Sequence, residues 1–326
     1  MMNKMRHLLL LLVSVLLFSC TGPDLNTDAG NLQDGNKPTV PFVPDVPAVP
    51  NIPDVPEPPA SSEPEEIVVP DLAARVVTVS SPSMKIYFPA TKQKRCRIVV
   101  ACPGGGYSSI PGADGYEGAF YKDLFNAEGY ALAVLYYRMP GGDRTRPISD
   151  ITNAVTYLRT QADNLYIDPN MIGVMGFSAG GHLAATLATT GTGNTKANFQ
   201  VLFYPVITLE SGKTHNGSRN NFLGSNPSDA LVNQYSLHKQ VCADTPRTFL
   251  TYAEGDNVVP ATYNGFAYYQ ALCDKKIPVT RYTYSGTRHG WHWGTVVFDG
   301  TTVNDGTKYE NLDDIKSKLS AWLRSF

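Results

Sequence analysis

Charge of a single sign is missing from this chain. Its 27 lysines and arginines nearly balance 29 aspartates and glutamates, and the formal charge of −2 over 326 residues gives no electrostatic reason to expect nucleic acid as a partner. Long hydrophobic runs are missing too. The one extended apolar stretch, Leu8 to Phe18 interrupted only by Ser14, is too short to cross a bilayer. Cysteine is scarce, with five residues, and neither these nor the six histidines fall at metal-ligand spacings, so no metal and no cofactor are expected. Cys96 and Cys102 lie six apart along one expected strand, which separates their side chains by roughly 20 Å and excludes a bond between them. Cys242 and Cys273 could pair in an oxidising compartment, although nothing in their spacing requires it.

The first 66 residues are not core material. Lys4 and Arg6 precede the apolar run, as in the leader of an exported protein, so residues 1–20 read as a signal peptide. The run ends in Leu17-Phe18-Ser19-Cys20, which resembles the lipobox of bacterial lipoproteins, where a small residue precedes an acylated cysteine. Cys20 is therefore the expected lipidation site and the membrane the expected anchor, outside the cytoplasm and at the outer membrane. A cleaved signal with an incidental cysteine is the alternative. Residues 21–66 lack any apolar periodicity, and Pro38, Pro41, Pro44, Pro47, Pro50, Pro53 and Pro56 recur at every third position. That period matches the turn of polyproline II and predicts a semi-rigid, disordered spacer between anchor and folded domain.

Residues 67–326 read as the folded domain, in which strands and helices alternate from Arg97 onward. Arg75 to Ser80 and Met84 to Phe88 read as two short strands around Ser81-Pro82, and Arg97 to Ala101 as a buried strand running into Pro103-Gly104-Gly105-Gly106-Tyr107. Glu117 to Glu128 predicts a helix, Tyr130 to Tyr137 a strand, and Ile151, Ala154, Val155, Leu158 and Ala162 the apolar face of another helix. Then come strand 171–175, a turn, helix 181–190 and strand 199–204. The polar stretch 207–243, with one helix near 228–237, is long enough to cap a site. Thr248 to Ala253, Ala261 to Lys275, Val279 to Tyr284 and a last helix marked by Ile315, Leu319, Trp322 and Leu323 complete the series. Such alternation predicts an α/β domain with a mostly parallel sheet flanked by helices on both faces, and function at the carboxyl ends of its strands.

The chemistry centres on Gly176-Phe177-Ser178-Ala179-Gly180, set between a buried strand and a helix of small residues. In that context the serine stands at a strained turn that tolerates only small neighbours two positions away. Ser178 is a poor nucleophile unless a base takes its proton and an acid orients that base. His289, in the loop after the last apolar strand, is the expected base, with His292 as rival; Asp256, one strand earlier, is the expected acid, with Glu254 as alternative. An oxyanion would be held by the backbone N–H of Ala179 and those of Gly105 and Gly106. His182, four residues after Ser178 on its helix, is read as a packing residue, and His215 and His238 as solvated parts of the cap. Tyr107 and Trp291 are aromatic candidates for stacking on a sugar ring, beside Tyr116 and Trp293.

With Pro103 to Tyr107, Tyr137-Arg138, the helix near Asp150, Gly176 to Ala184, Asp256 to Pro260 and Arg288-His289-Gly290 in view, the chain resembles the α/β hydrolases of the esterase and lipase superfamily. It is most similar to bacterial acetylxylan-esterase-like and feruloyl-esterase-like proteins of the BD-FAE type. Lipase-type relatives carry His before the three glycines, whereas Pro103 stands here and fits the carbohydrate-esterase form. The resemblance implies the α/β-hydrolase fold, a Ser178–His289–Asp256 triad and removal of acetyl or similar groups from acylated carbohydrate such as xylan, with a small ester as the more general substrate. A glycan-binding lipoprotein on the same scaffold without useful catalysis, and a serine peptidase, are the readings of other classes.

Overall fold

The computed structural model describes residues 68–290, 296–298, 301–303 and 310–326. Two antiparallel strands open the domain, β1 (Arg75–Ser80) and β2 (Ser83–Phe88), followed by β3 (Cys96–Cys102), α1 (Lys122–Ala127) and β4 (Tyr130–Leu135). Next come α2 (Thr145–Thr160), α3 (Ala162–Leu165), β5 (Ile167–Phe177), α4 (Ser178–Thr190) and β6 (Phe199–Phe203). The remainder is α5 (Asn216–Leu223), α6 (Asp229–Gln234), β7 (Arg247–Ala253), α7 (Gly265–Asp274), β8 (Val279–Tyr284), a small pair β9 (Val296–Phe298) and β10 (Thr301–Val303), and α8 (Glu310–Leu323).

The main sheet has eight strands in the order β1-β2-β4-β3-β5-β6-β7-β8. Only β1-β2 and β2-β4 pair antiparallel, and every pair from β4-β3 to β7-β8 is parallel. Buried on both faces, β4 (Tyr-Ala-Leu-Ala-Val-Leu) and the middle of β3 (Ile-Val-Val-Ala) are apolar without alternation, as a covered parallel sheet requires. The chain steps one way from β3 to β4 and the other way from β4 to β5. Right-handed crossovers in opposite directions put α1 and α2 on opposite faces of the sheet. Accordingly α1 packs with α8, and α2 with α4. On α2, Ile151, Ala154, Val155 and Leu158 are buried, as their spacing predicts; on α8, Ile315, Leu319, Trp322 and Leu323 are buried, Trp322 against Phe199 and Phe249.

Three local expectations are revised. The helix after the nucleophile motif begins at Ser178 rather than Gly181, because the turn is tighter than a separate loop. The helix expected from Glu117 shrinks to α1, preceded by a single 3-10 turn over Ala119–Tyr121, since the glycines before it favour turns. Two helices stand in the stretch 207–243 instead of one. The extra one, α5 (Asn-Gly-Ser-Arg-Asn-Asn-Phe-Leu), has poor intrinsic propensity, and forms because His215 caps it and Phe222 and Leu223 are buried. Cys96, Cys102, Cys242 and Cys273 are all thiols. Among the described residues no helix is long and apolar enough to cross a membrane.

Candidate active site

The reversal of strand order beside β3 creates a crevice outside the carboxyl ends of β3 and β5. Cys102, the last residue of β3, pairs with Gly176 near the end of β5, so the glycine loop and the serine turn leave the sheet side by side. Ser178 has φ of 51°, a left-handed conformation that costs about 1–3 kcal/mol for a side-chain residue and is held by its surroundings. Its carbonyl accepts the N–H of Val206 at 3.0 Å. Crowding explains the flanking glycines. A Cβ on Gly176 would stand 2.2 Å from the carbonyl oxygen of Gly180, and one on Gly180 would stand 2.1 Å from that of Cys102 and 2.3 Å from that of Pro103. Backbone cannot yield at such distances, so these two positions fix how α4 meets β3.

Ser178, His289 and Asp256 are brought together by three different loops. His289 Nε2 lies 2.8 Å from Ser178 Oγ, and His289 Nδ1 lies 2.7 Å from Asp256 Oδ2. All three are buried, His289 and Asp256 at 6 % exposure each and Ser178 at 9 %. The other carboxylate oxygen, Asp256 Oδ1, accepts the N–H groups of Val258 and Val259, both at 2.9 Å. Those donors hold the carboxylate oriented. The loops after β7 and β8 are laced by backbone bonds from Glu254 N–H to Tyr284 C=O, Gly255 N–H to Gly286 C=O and Asn257 N–H to Thr287 C=O, each 2.9 Å. This lacing carries Asp256 to His289. Glu254 is exposed and accepts the Thr283 hydroxyl at 3.0 Å, outside the triad of side chains.

The glycine loop is pinned at several points. The Tyr137 hydroxyl donates to the carbonyl of Pro103 at 2.6 Å, and Asn221 Nδ2 donates to that of Gly106 at 2.9 Å. Gly105 and Gly106, with φ of 130° and 63°, adopt conformations that favour glycine. No partner takes their N–H groups among the described residues. The N–H of Gly104, by contrast, is taken by Glu117 Oε2 at 2.7 Å. At the start of α4, Ala179 has an N–H that the helix itself leaves unpaired. The donors of Ala179, Gly105 and Gly106 thus remain for an oxyanion.

Glu117 escaped the sequence reading. It is buried, and its second oxygen accepts the hydroxyl of Tyr204 at 2.9 Å, while the Tyr204 ring packs edge-on against His289 with centroids 4.8 Å apart. Burial pushes its carboxyl above the usual range, partly offset by the Tyr204 and Gly104 donors and by His289. A lone acid after a glycine-rich loop gives no local signal of such a role. Only the fold brings Glu117 beside residues 13 and 87 positions away.

Tyr107 is corrected. It is 1 % exposed, its hydroxyl bonds His182 Nδ1 at 2.9 Å, and its ring packs on Tyr137 and Phe222, so it has no face for a substrate. Its φ of 59° accompanies this inward packing. His182 is the packing residue expected: Nε2 donates to the carbonyl of Tyr235 at 2.9 Å, Nδ1 accepts from Tyr107, and burial pulls its pKa down to about 4. Neither His215 nor His238 is solvated as expected; both are half-buried, which lowers their basicity. Trp291, with His292 and Trp293, lies outside the described residues, as do Cys20 and the proline-rich stretch. Among the described residues no group of His, Cys, Asp or Glu could hold a metal ion.

Comparison with known proteins matches the BD-FAE family model over residues 84–265. The chain is 35% identical over 232 residues to an acetylxylan esterase of Xylanibacter ruminicola, covering 70% of this chain and 45% of that protein. It is 34% identical over 226 residues to endo-1,4-beta-xylanase B of Butyrivibrio fibrisolvens, covering 64% of this chain and 34% of that protein. The chain therefore spans less than half the length of these two relatives. Among solved structures, the acetyl ester-xyloside bifunctional hydrolase from Caldicellulosiruptor lactoaceticus superimposes with a TM-score of 0.63 at 27% identity, over 74% of this chain and 88% of that one.

Proposed function

Since the chain belongs to the BD-FAE family and has the α/β-hydrolase fold, we propose that it is a serine carboxylic ester hydrolase that removes acetyl groups from plant polysaccharide or oligosaccharide such as xylan. The observation that carries this reading is the continuous chain of hydrogen bonds from Ser178 Oγ through His289 to Asp256, beside the Gly105 and Gly106 amides that no group among the described residues takes. Likeness to an acetylxylan esterase supports the acetyl group and the xylan.

In this mechanism His289 Nε2 takes the proton of Ser178 Oγ as that oxygen attacks the ester carbonyl. Asp256 holds Nδ1–H and stabilises the imidazolium that forms. Negative charge gathers on the carbonyl oxygen, where the N–H groups of Ala179, Gly105 and Gly106 receive it; one such donor is worth about 3–4 kcal/mol of barrier. Collapse of the intermediate expels the sugar hydroxyl, which recovers the proton from His289 Nε2. Water then repeats the sequence on the acyl-enzyme. Glu117 holds the glycine loop by its Gly104 N–H, and no reacting atom contacts it.

The same proposal includes export by the leader 1–20 and tethering at the outer membrane through a lipid on Cys20, with residues 21–66 as stalk. Acetate release from acetylated xylan, measured beside ferulate release from a feruloylated fragment, tests the substrate. Acetate in clear excess is expected. Ferulate in excess would move the chain to the feruloyl esterases, and release of neither would end the carbohydrate reading.

A further inference from the structure

His215 carries a feature that the triad does not use. It is the N-cap of α5, and its Nδ1 accepts the backbone N–H of Ser218 at 3.2 Å, with the Ser218 hydroxyl at 2.9 Å. A ring nitrogen that accepts from a backbone N–H bears no proton, so the capped ring is neutral and its single proton is on Nε2. That Nε2–H has no partner among the described residues, and it is not sealed from solvent. The ring lies against the glycine loop: a Cβ at Gly106 would stand 3.3 Å from His215 Cε1. It also lies within electrostatic range of His289 and Asp256.

Beside the ring is a cavity of about 510 Å³, walled on one side by residues 214–217 and on the other by Asn257, Val258 and Pro260. The second wall is the loop that holds Asp256, so the cavity lies on the His289 side of the nucleophile. The leaving alcohol must be on that side, because His289 Nε2 returns the proton to it. The lining offers neutral polar groups: Nε2–H of His215 and the side-chain amides of Asn216 and Asn257. No carboxylate, ammonium or guanidinium and no Phe, Tyr or Trp lines it among the described residues. Uncharged hydroxyls match such a lining; a flat phenolic ring does not.

We propose that this cavity is the subsite for the alcohol portion of the ester, a sugar ring one of whose hydroxyls accepts the Nε2–H of His215. The proposal rests on the ester-hydrolase reading above and adds where the sugar is recognised.

The test compares kcat/KM on an acetylated xylo-oligosaccharide with kcat/KM on p-nitrophenyl acetate, whose alcohol part has no sugar hydroxyls. His215→Asn keeps an N-cap oxygen for α5 and deletes the ring donor. The ratio of the two values should fall roughly five- to tenfold, the worth of one or two neutral hydrogen bonds, through a raised KM for the oligosaccharide. Asn257→Ala, at an exposed position on the opposite wall, should lower the same ratio without touching the helix cap. A ratio unchanged in both variants overturns the subsite. A wild-type protein that cleaves p-nitrophenyl acetate and no acetylated saccharide instead overturns the sugar reading at its root, a result distinct from an unresponsive variant.

Discussion

Replacing Asp256 by Asn separates the orientation of His289 from every other feature of the site. Asp256 Oδ1 accepts two backbone N–H groups, from Val258 and Val259, while Oδ2 faces His289 Nδ1 at 2.7 Å. An asparagine has one acceptor oxygen for these two sides. Turned with its oxygen toward Val258 and Val259, it presents –NH₂ to His289 Nδ1, which must then accept and lose its proton to Nε2. Turned the other way, it sets –NH₂ against two N–H donors, Val259 buried and Val258 part-buried, at a cost of roughly 2–4 kcal/mol together when left unsatisfied. Even the lower figure favours the first orientation by about 30-fold. His289 then carries its proton on Nε2, facing Ser178 Oγ, and cannot take another. The kcat for p-nitrophenyl acetate should fall by about 10³–10⁴, with KM and the circular-dichroism spectrum little changed. A loss below tenfold, or one confined to KM, would refute the reasoning.

Four further outcomes follow from buried groups. Glu117→Gln can keep both contacts, its oxygen accepting the Gly104 N–H and its amide donating to Tyr204, whereas Glu117→Ala removes the acceptor that both groups share; kcat should fall more than tenfold in the alanine variant and be substantially recovered in glutamine. Because burial raises the Glu117 pKa, its protonated form is favoured on folding, so this residue's contribution to stability is full at pH below the ordinary carboxylate range and is lost as pH rises through the folded value; urea midpoints of Glu117→Gln should lack that component. His182, held near pKa 4 in the fold against 6.5 unfolded, acts in the opposite sense: stability is full above pH 6.5 and falls by roughly 3 kcal/mol as pH drops to about 4, a slope that His182→Gln should flatten in urea titrations. Gly180→Ala would drive a methyl into the carbonyls of Cys102 and Pro103, and should give insoluble protein or a loss of more than about 3 kcal/mol in a denaturant melt.

Much of this molecule was legible because several independent signals agreed. Apolar runs such as 98–101 and 131–135 announce covered strands, and Ile151, Ala154, Val155 and Leu158 announce a helix face by spacing alone. That Ser178, Asp256 and His289 meet was legible because each follows a strand, and parallel strands deliver their loops to one edge. Glu117 and the cavity beside His215 were not found, since both exist only through contacts between segments far apart in the chain. Tyr107 was misplaced for a related reason: position beside a functional loop says nothing of which way a ring turns, and here it turns onto His182. The helix α5 was missed because its local propensity argues against it and burial overrides propensity.

The central claim is that Ser178 forms an acyl-enzyme. Incubating the protein with a nitrophenyl phosphate triester, which transfers its phosphoryl group to an activated serine, and locating the adduct by peptide mass spectrometry tests this directly. One adduct per chain, on Ser178, with esterase activity lost in proportion and no labelling of Ser178→Ala, is the predicted result. An adduct on another residue, or full esterase activity in Ser178→Ala, would contradict it.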